Sequence, residues 1–167
     1  MKKKILSFKA IQISVALDKG IRLPLSKDEL ILAAKETLLI LKEKDAKVCL
    51  YFVGDAAMRK LNLKYRKINS PTDCLAFPMR EGHDGDLNPE LLGDVVISAE
   101  TARKNAERFG FALKEEVLLY VIHGILHLLG YEDTVSSEKK KMRRMEKMIL
   151  SRISRCCKPW IPDNLLM

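Results

Sequence analysis

The longest apolar helix pattern in the chain, ALKEEVLLYVIHGILHLLG at residues 112–130, constrains the fold more than any other feature. Its hydrophobic residues are too many for one side of a helix, so most of the helix surface has to be covered by other elements. Gly130 follows the last leucine and is typical of a helix C-terminus. We therefore expect a central helix that ends at Gly130, with a sheet and further helices packed around it.

Four β-rich segments and four other helix patterns are interleaved with this helix along the chain. The predicted strands are residues 11–17, 46–55, 74–77 and 94–97. The other predicted helices are residues 23–44, 56–66, 99–110 and 136–153. This order, without a repeat or an internal linker, predicts one α+β domain over residues 1–167, with a mixed sheet of about four strands and about five helices. The tail at residues 156–167 either packs on this domain or is loose.

Three helix starts carry capping signals. Ser26 and Glu29 have the S-x-x-E spacing of a capping box at the start of the first helix. Asp55 is the expected N-cap of the helix at residues 56–66. Ser98 is the expected cap of the helix that follows the fourth strand.

The last predicted helix is amphipathic and strongly basic. Its apolar side carries Met142, Met145, Ile149 and Ile153. Residues 136–158 hold nine lysines and arginines but only two acids, Glu138 and Glu146, and so carry nearly all of the formal net charge of +8. Such a face is either simply solvated or binds a polyanion, for which nucleic acid and an anionic membrane surface are the usual candidates.

The sequence gives no sign of secretion, membrane insertion or a cysteine metal site. Charge returns at Lys9 before a secretory hydrophobic region develops, and no apolar run reaches the roughly 18 residues of a membrane span. The four cysteines lack C-x-x-C spacing, and the adjacent Cys156 and Cys157 suit an ordinary disulfide poorly. We therefore expect a reduced, cytoplasmic protein with no membrane partner.

Two histidines stand four residues apart in the central helix. Side chains at positions i and i+4 lie one above the other, so His123 and His127 can both point at a single ion. Beyond the glycine break the chain can turn back and supply a third ligand, for which we predict Asp133. Glu132 is the near alternative and His83 a distant one. Three protein ligands leave the fourth position to water, as in a catalytic rather than a structural zinc site.

The residue after the first histidine argues against a zinc peptidase. In the H-E-x-x-H peptidases this residue is the glutamate that serves as general base, whereas here it is Gly124. What Gly124 offers is room, either for close helix packing or for a bulky substrate to approach the metal.

Three motifs of this chain resemble those of one known family. HGILHLLGYED at residues 123–133 resembles the family signature H-G-x-L-H-L-x-G-Y-D-H. LNLKYRKINSPTDCLAFP at residues 61–78 is similar to the family's L-N-x-x-Y-R … T-D-V-L-S-F-P stretch. LLGDVVIS at residues 91–98 is similar to its L-G-D-I-x-I-S strand. These motifs resemble those of the YbeY family of endoribonucleases. They occur in that family's order, and the flanking elements fit the family's layout.

The resemblance implies a zinc-dependent, single-strand-specific endoribonuclease of 16S rRNA 3′ end maturation and ribosome quality control. Its partners would be single-stranded RNA, rRNA precursors and the small ribosomal subunit, and no nucleotide cofactor is implied. His123 and His127 match metal ligands of the family, and Arg66 matches an arginine implicated in RNA cleavage, so these three are the expected catalytic residues. The alternative is a non-catalytic RNA- or ribosome-associated factor with a structural or degenerate metal site.

The signature departs from the family at its end. Glu132 and Asp133 stand where the family has Asp and a third histidine ligand. A carboxylate binds zinc at about 2.0–2.2 Å, so Asp133 can take the place of the imidazole. The anion lowers the net charge of the site, which predicts a weaker Lewis acid and a higher pKa of the bound water. It also predicts better tolerance of harder ions such as manganese.

Overall fold

The structure, a computed structural model, describes residues 10–81 and 87–156. Its elements in chain order are β1 (Gln12–Leu17), α1 (Lys27–Ile40), β2 (Lys47–Val53), α2 (Asp55–Arg66), β3 (Cys74–Pro78), β4 (Leu91–Ser98), α3 (Ala99–Phe109), α4 (Leu113–Leu128) and α5 (Ser136–Cys156). Within this part of the chain, one four-stranded mixed sheet and five helices confirm the predicted α+β fold class. The alternative ligand His83 and nearly all of the predicted tail lie outside the described residues.

The sheet has the strand order β1-β2-β4-β3. The first three strands in this order pair in parallel, and β3 runs antiparallel to β4 at one edge. Parallel neighbours need a crossover connection, which α1 supplies between β1 and β2. The strand predicted at residues 94–97 is longer in the structure because its pairing with β2 already begins at Leu91.

The α4 helix is central, as its composition predicts. It contacts three helices (α1, α3 and α5) and the strands β3 and β4, and ten of its sixteen residues are buried. A Cβ atom at Gly124 would lie 2.2 Å from Val95 Cγ1, so only glycine lets α4 approach β4 this closely. Of the two uses predicted for Gly124, the structure supports close helix packing.

Two of the three predicted helix caps are confirmed. The Glu29 N–H donates to Ser26 Oγ at 3.2 Å, and the Ser26 N–H donates to the Glu29 carboxylate at 2.7 Å, which completes the capping box. The Ser98 hydroxyl accepts from the Thr101 N–H at 3.1 Å at the start of α3. The first helix begins after Ser26, as the capping box predicts, and it ends at Ile40, four residues before the end of the predicted segment.

The prediction that Asp55 caps α2 is wrong. Gly54 occupies the N-cap position without a side-chain bond, and Asp55 is the first helical residue. The Asp55 carboxylate instead accepts from the hydroxyls of Ser98 and Thr101 and from the Lys104 ammonium, each at 2.6 Å. The Asp55 carboxylate therefore accepts hydrogen bonds from three donors of the α3 region instead of from a backbone N–H of α2. It links the two helices in this way.

The α5 helix packs its apolar side inward and exposes its charge. Met142, Ile149 and Ile153 are buried, and Met145 is partly buried against the same core. The lysines and arginines of α5 are exposed in the described range, which confirms the predicted amphipathic helix. Among the described residues, no helix is both long enough and apolar enough to cross a membrane.

Candidate metal centre

The last two turns of α4 bring the two histidines of the signature together. One helical turn separates His123 from His127, and their Nε2 atoms lie 3.0 Å apart. The ring centroids are 4.6 Å apart and the ring planes are nearly perpendicular, at 86°. Two imidazole nitrogens that converge in this way can bind one ion, as the i, i+4 spacing predicts.

The chain turns sharply after α4 because of Gly130. This residue has a φ of +81°, in the left-handed region that favours glycine. Its N–H donates to the His127 carbonyl at 3.0 Å, and the Tyr131 N–H donates to the Leu126 carbonyl at 3.0 Å. The predicted helix stop is therefore confirmed, and the turn carries Asp133 back over the end of the helix.

Asp133 completes a group of three donors. Its Oδ2 lies 4.0 Å from His123 Nε2, and its Oδ1 lies 4.0 Å from His127 Nε2. One ligand atom from each of the three residues lies within 4.8 Å of the other two. Ligand atoms about 2.0–2.2 Å from a tetrahedral ion are roughly 3.3–3.6 Å from one another, so this donor set fits a zinc-sized ion after small side-chain movements. The structure brings Asp133 to the histidines, whereas Glu132 is exposed.

Glu146 is a member of the site that the sequence analysis missed. Its Oε1 lies 2.6 Å from Nδ1 of His123, and the two side chains are only 13% and 17% exposed. Burial opposes charging of the His123 ring, but the hydrogen bond and the charge of Glu146 outweigh it and raise the His123 pKa. The sequence contained a signal that Glu146 is not a solvent-exposed residue. Glu146 falls at helical spacing from Met142 and Ile149, on the apolar side of a basic helix.

His127 has a different environment on its outer side. Burial, followed by the nearby charge of His123, lowers the pKa of His127, although a hydrogen bond with the Tyr131 backbone acts in the opposite direction. Metal-binding histidines usually use their second ring nitrogen in this way, with a carboxylate or a carbonyl as the partner. Both rings therefore have an outer partner of the kind that orients a ligand.

A cleft of about 260 Å³ opens beside the three donors. Its lining residues are Asp73, Leu119, Tyr120, His123, Asp133, Lys139, Met142, Arg143 and Glu146. Of the basic residues of α5, Lys139 and Arg143 are the two that line it within the described part of the chain. The cleft thus contains two cations and three carboxylates beside the candidate metal-binding groups, and the two cations can bind phosphates of a phosphodiester strand.

Asp73 has two roles in the structure. Its Oδ1 accepts from the Cys74 N–H at 2.7 Å and from the Thr72 hydroxyl at 2.9 Å, so it caps the turn before β3. The same side chain also lines the cleft. Asp73 is therefore both a local cap and a negative charge that faces anything bound there.

Arg66 is the last residue of α2 and is exposed. It is not among the described residues that line the cleft. Burial, and then the charges of Asp73 and Asp133, raise the pKa of the Cys74 thiol, while the charge of Arg66 lowers it. The charges of Arg66 and Asp133 therefore both influence the pKa of Cys74 at the start of β3. The catalytic role of Arg66 stays a prediction.

Comparison with known proteins identifies relatives over most of the chain. The family model described as Endoribonuclease YbeY matches residues 22–154. The endoribonuclease YbeY of Aquifex aeolicus is 41% identical over 130 residues, which cover 77% of this chain and 85% of the relative. That of Pelotomaculum thermopropionicum is 42% identical over 113 residues, covering 66% and 74%. A solution structure from Thermotoga maritima has a TM-score of 0.58 and 26% identity, and covers 91% of this chain and 97% of its own.

Proposed function

Because this chain belongs to the endoribonuclease YbeY family, we propose that it is a metal-dependent endoribonuclease that cleaves single-stranded RNA. The observation that carries the metal dependence is the convergence of His123, His127 and Asp133 within 4.8 Å, beside a cleft with two cationic side chains. A peptidase lacks support, since Gly124 has no side chain to serve as a general base.

A zinc ion held by these three residues would polarise a phosphate oxygen and lower the pKa of a bound water. The protein itself orients the ligands, because the Glu146 carboxylate fixes the His123 ring. Lys139 and Arg143 hold phosphates of the strand in the cleft. Arg66, whose guanidinium can bind a phosphate through two N–H groups, stabilises the charge that develops during cleavage.

Zinc is the ion we propose, with manganese as a tolerated substitute. Two neutral imidazoles and one carboxylate leave less positive charge at the site than three imidazoles would. Harder divalent ions prefer oxygen ligands, so Asp133 reduces the difference in binding affinity between zinc and these ions. With an ion bound, the Asp133 carboxylate would also make a coordinated water less acidic, which would shift the pH of full activity upward.

The substrate we propose is ribosomal RNA, at the 3′ end of the 16S rRNA precursor and in defective ribosomes, with the small subunit as partner and the cytoplasm as location. This part rests on the family and on the exposed basic face of α5, which suits a polyanion. The test is cleavage of an end-labelled single-stranded RNA by the zinc-loaded protein and by His123→Ala and Arg66→Ala. Glu138→Gln is the control, since Glu138 lies on α5 outside the cleft lining.

A loss of cleavage in both variants but not in the control supports the proposal. Cleavage at the wild-type rate in both would assign the activity to a contaminating nuclease. The alternative function, a non-catalytic RNA-associated factor, is favoured by the replacement of the family's third histidine by Asp133. It predicts a wild-type protein that binds metal and RNA, melts at lower temperature without the metal, and leaves the RNA intact.

A further inference from the structure

An exposed aromatic ring lies next to Arg66 in the last turn of α2. Tyr65 is 54% exposed, although tyrosine is a large and mostly apolar side chain. The Phe77 ring of β3 packs against it, with centroids 4.9 Å apart and planes inclined at 70°. The Tyr65 ring is therefore braced from the sheet side and presents its remaining surface to solvent.

The surroundings of Tyr65 are basic. Residues 56–72 contain five lysines and arginines and no acid: Arg59, Lys60, Lys64, Arg66 and Lys67. All five are exposed, and Lys64 Nζ lies 5.0 Å from the centroid of the Tyr65 ring. Leu63 and Ile68 nearby are also exposed. A ligand for this surface has to combine negative charge with flat apolar groups, and unpaired RNA offers both.

The β3 strand connects the surface around Tyr65 to the metal centre. Phe77, which packs against Tyr65, belongs to β3, and Asp73, which lines the cleft, directly precedes this strand. They are four residues apart, which is roughly 13 Å along an extended chain. A strand of RNA that reaches from the cleft to Arg66 therefore passes close to the Tyr65 ring.

We propose that Tyr65 is a base-stacking platform, which binds an unpaired nucleobase of the substrate next to the phosphate that Arg66 contacts. The proposal rests on the proposed function and deepens it, because it accounts for a preference for single strands. Bases in a duplex are stacked on one another and have no free face for Tyr65. The Lys64 ammonium, which lies over the Tyr65 ring, moves aside when a base stacks there and binds the phosphate of that nucleotide.

The test separates stacking from phosphate binding. Affinity is measured by fluorescence anisotropy with the metal-loaded protein and a labelled 2′-O-methyl oligouridine of twelve nucleotides, whose integrity is checked on a gel. The second probe is an abasic strand with the same phosphates. The variants are Tyr65→Leu and Tyr65→Phe. Phe109→Leu is the matched control, because Phe109 is 57% exposed and also has a cation over its ring, Arg108 at 5.2 Å.

We expect Tyr65→Leu to weaken binding of oligouridine by roughly 5- to 150-fold, with no change on the abasic strand. Tyr65→Phe keeps a ring and therefore keeps wild-type affinity. Unchanged binding of the abasic strand by Tyr65→Leu shows that its loss on oligouridine is not due to unfolding. Phe109→Leu binds both strands like the wild type.

Three results would overturn the platform alone: oligouridine binding unchanged in Tyr65→Leu, the same loss on the abasic strand, or the same loss in Phe109→Leu. A wild-type protein that binds neither strand overturns the proposed function and the platform with it. A wild-type protein that cleaves RNA while Tyr65→Leu binds normally leaves the proposed function in place.

Discussion

Glu146 Oε1 lies 2.6 Å from Nδ1 of His123, so the basic helix α5 also supplies the carboxylate that orients a candidate metal ligand. In metal-binding histidines, a hydrogen bond at one ring nitrogen fixes the ring so that the other nitrogen faces the ion, and it raises the basicity of that nitrogen. The contact joins two helices, and both side chains are largely buried.

Replacement of Glu146 is expected to weaken metal binding. Glu146→Ala loses both the charge and the acceptor, and its zinc affinity should fall roughly 10- to 100-fold. Glu146→Gln keeps an acceptor oxygen and should lose less. Zinc affinity is measured by competition with a chelating dye, with Glu138→Gln as the control on the same helix. Equal affinity in Glu146→Ala and in the wild type would show that Glu146 serves α5 packing only.

Asp133 is expected to decide both the metal content and the choice of ion. Asp133→Ala should reduce the zinc bound per chain, because two imidazoles remain. Asp133→His should raise the preference for zinc over manganese, because nitrogen is the softer ligand. Metal analysis of the purified variants checks both, with Glu132→Ala as the neighbouring control. Asp133 is not a ligand if its alanine variant keeps the wild-type metal content.

The cleft divides the basic face of α5 into two groups. Lys139 and Arg143 line the cleft, whereas Lys140 and Arg144 are exposed outside it. Each phosphate contact to single-stranded RNA contributes about 0.7 to the slope of log affinity against log salt. The double variant Lys139→Gln, Arg143→Gln should therefore lower the slope by roughly 1.4.

The control for this experiment is Lys140→Gln, Arg144→Gln, which removes the same charge from the same helix. Its slope should stay close to that of the wild type. Equal slopes in the two double variants would mean that α5 acts through its overall charge, without a defined phosphate path in the cleft.

Gly124→Ala should destabilise the protein although alanine favours helices. The helix propensity gain is about 1 kcal/mol, but the added Cβ would lie 2.2 Å from Val95 Cγ1. Overpacking of this kind costs typically about 1–3 kcal/mol and outweighs the gain. Urea unfolding measures the change. Combining Gly124→Ala with Val95→Ala should recover part of the loss, and a double variant that shows simple additivity contradicts the contact.

Asp55→Asn should lower stability at neutral pH and much less in acid. Burial favours the neutral carboxyl, but the hydrogen bonds from Lys104, Ser98 and Thr101 outweigh it and lower the Asp55 pKa from 3.8. A lowered folded-state pKa gives stability that is present above the unfolded value and is lost as the pH falls through the folded value.

The expected loss in Asp55→Asn at pH 7 is about 1.5–3 kcal/mol, the range of hydrogen bonds to a charged group. Urea unfolding from pH 7 to pH 3 should show the difference from the wild type shrinking below about pH 4. The control is Asp28→Asn, which changes an exposed carboxylate in the first turn of α1. A difference that is constant with pH would mean that the Asp55 charge contributes nothing.

The features that the sequence predicted well are those that depend on residues within one or two turns of each other. The capping box at Ser26 and Glu29, the convergence of His123 and His127, and the stop at Gly130 all involve separations of three to four residues or a single backbone angle. Backbone geometry fixes such distances once the helix forms, so the pattern of residues is sufficient to predict them. The apolar composition of α4 likewise required a central position, because exposing that surface to water is unfavourable.

The features that only the tertiary structure decided join residues that are far apart along the chain. The partners of Asp55 lie 43 to 49 residues away, and Glu146 lies 23 residues from His123. Likewise, only the packing of α5 against α4 selects Lys139 and Arg143 from the exposed cations of the helix to line the cleft. A side chain takes the partner that gives the most favourable hydrogen bonds and charge contacts, and folding brings partners from other elements into competition with local ones. The sequence alone therefore determined the pair of candidate metal ligands and its helix, whereas the carboxylate behind that pair and the cations in the cleft beside it depended on how the helices pack.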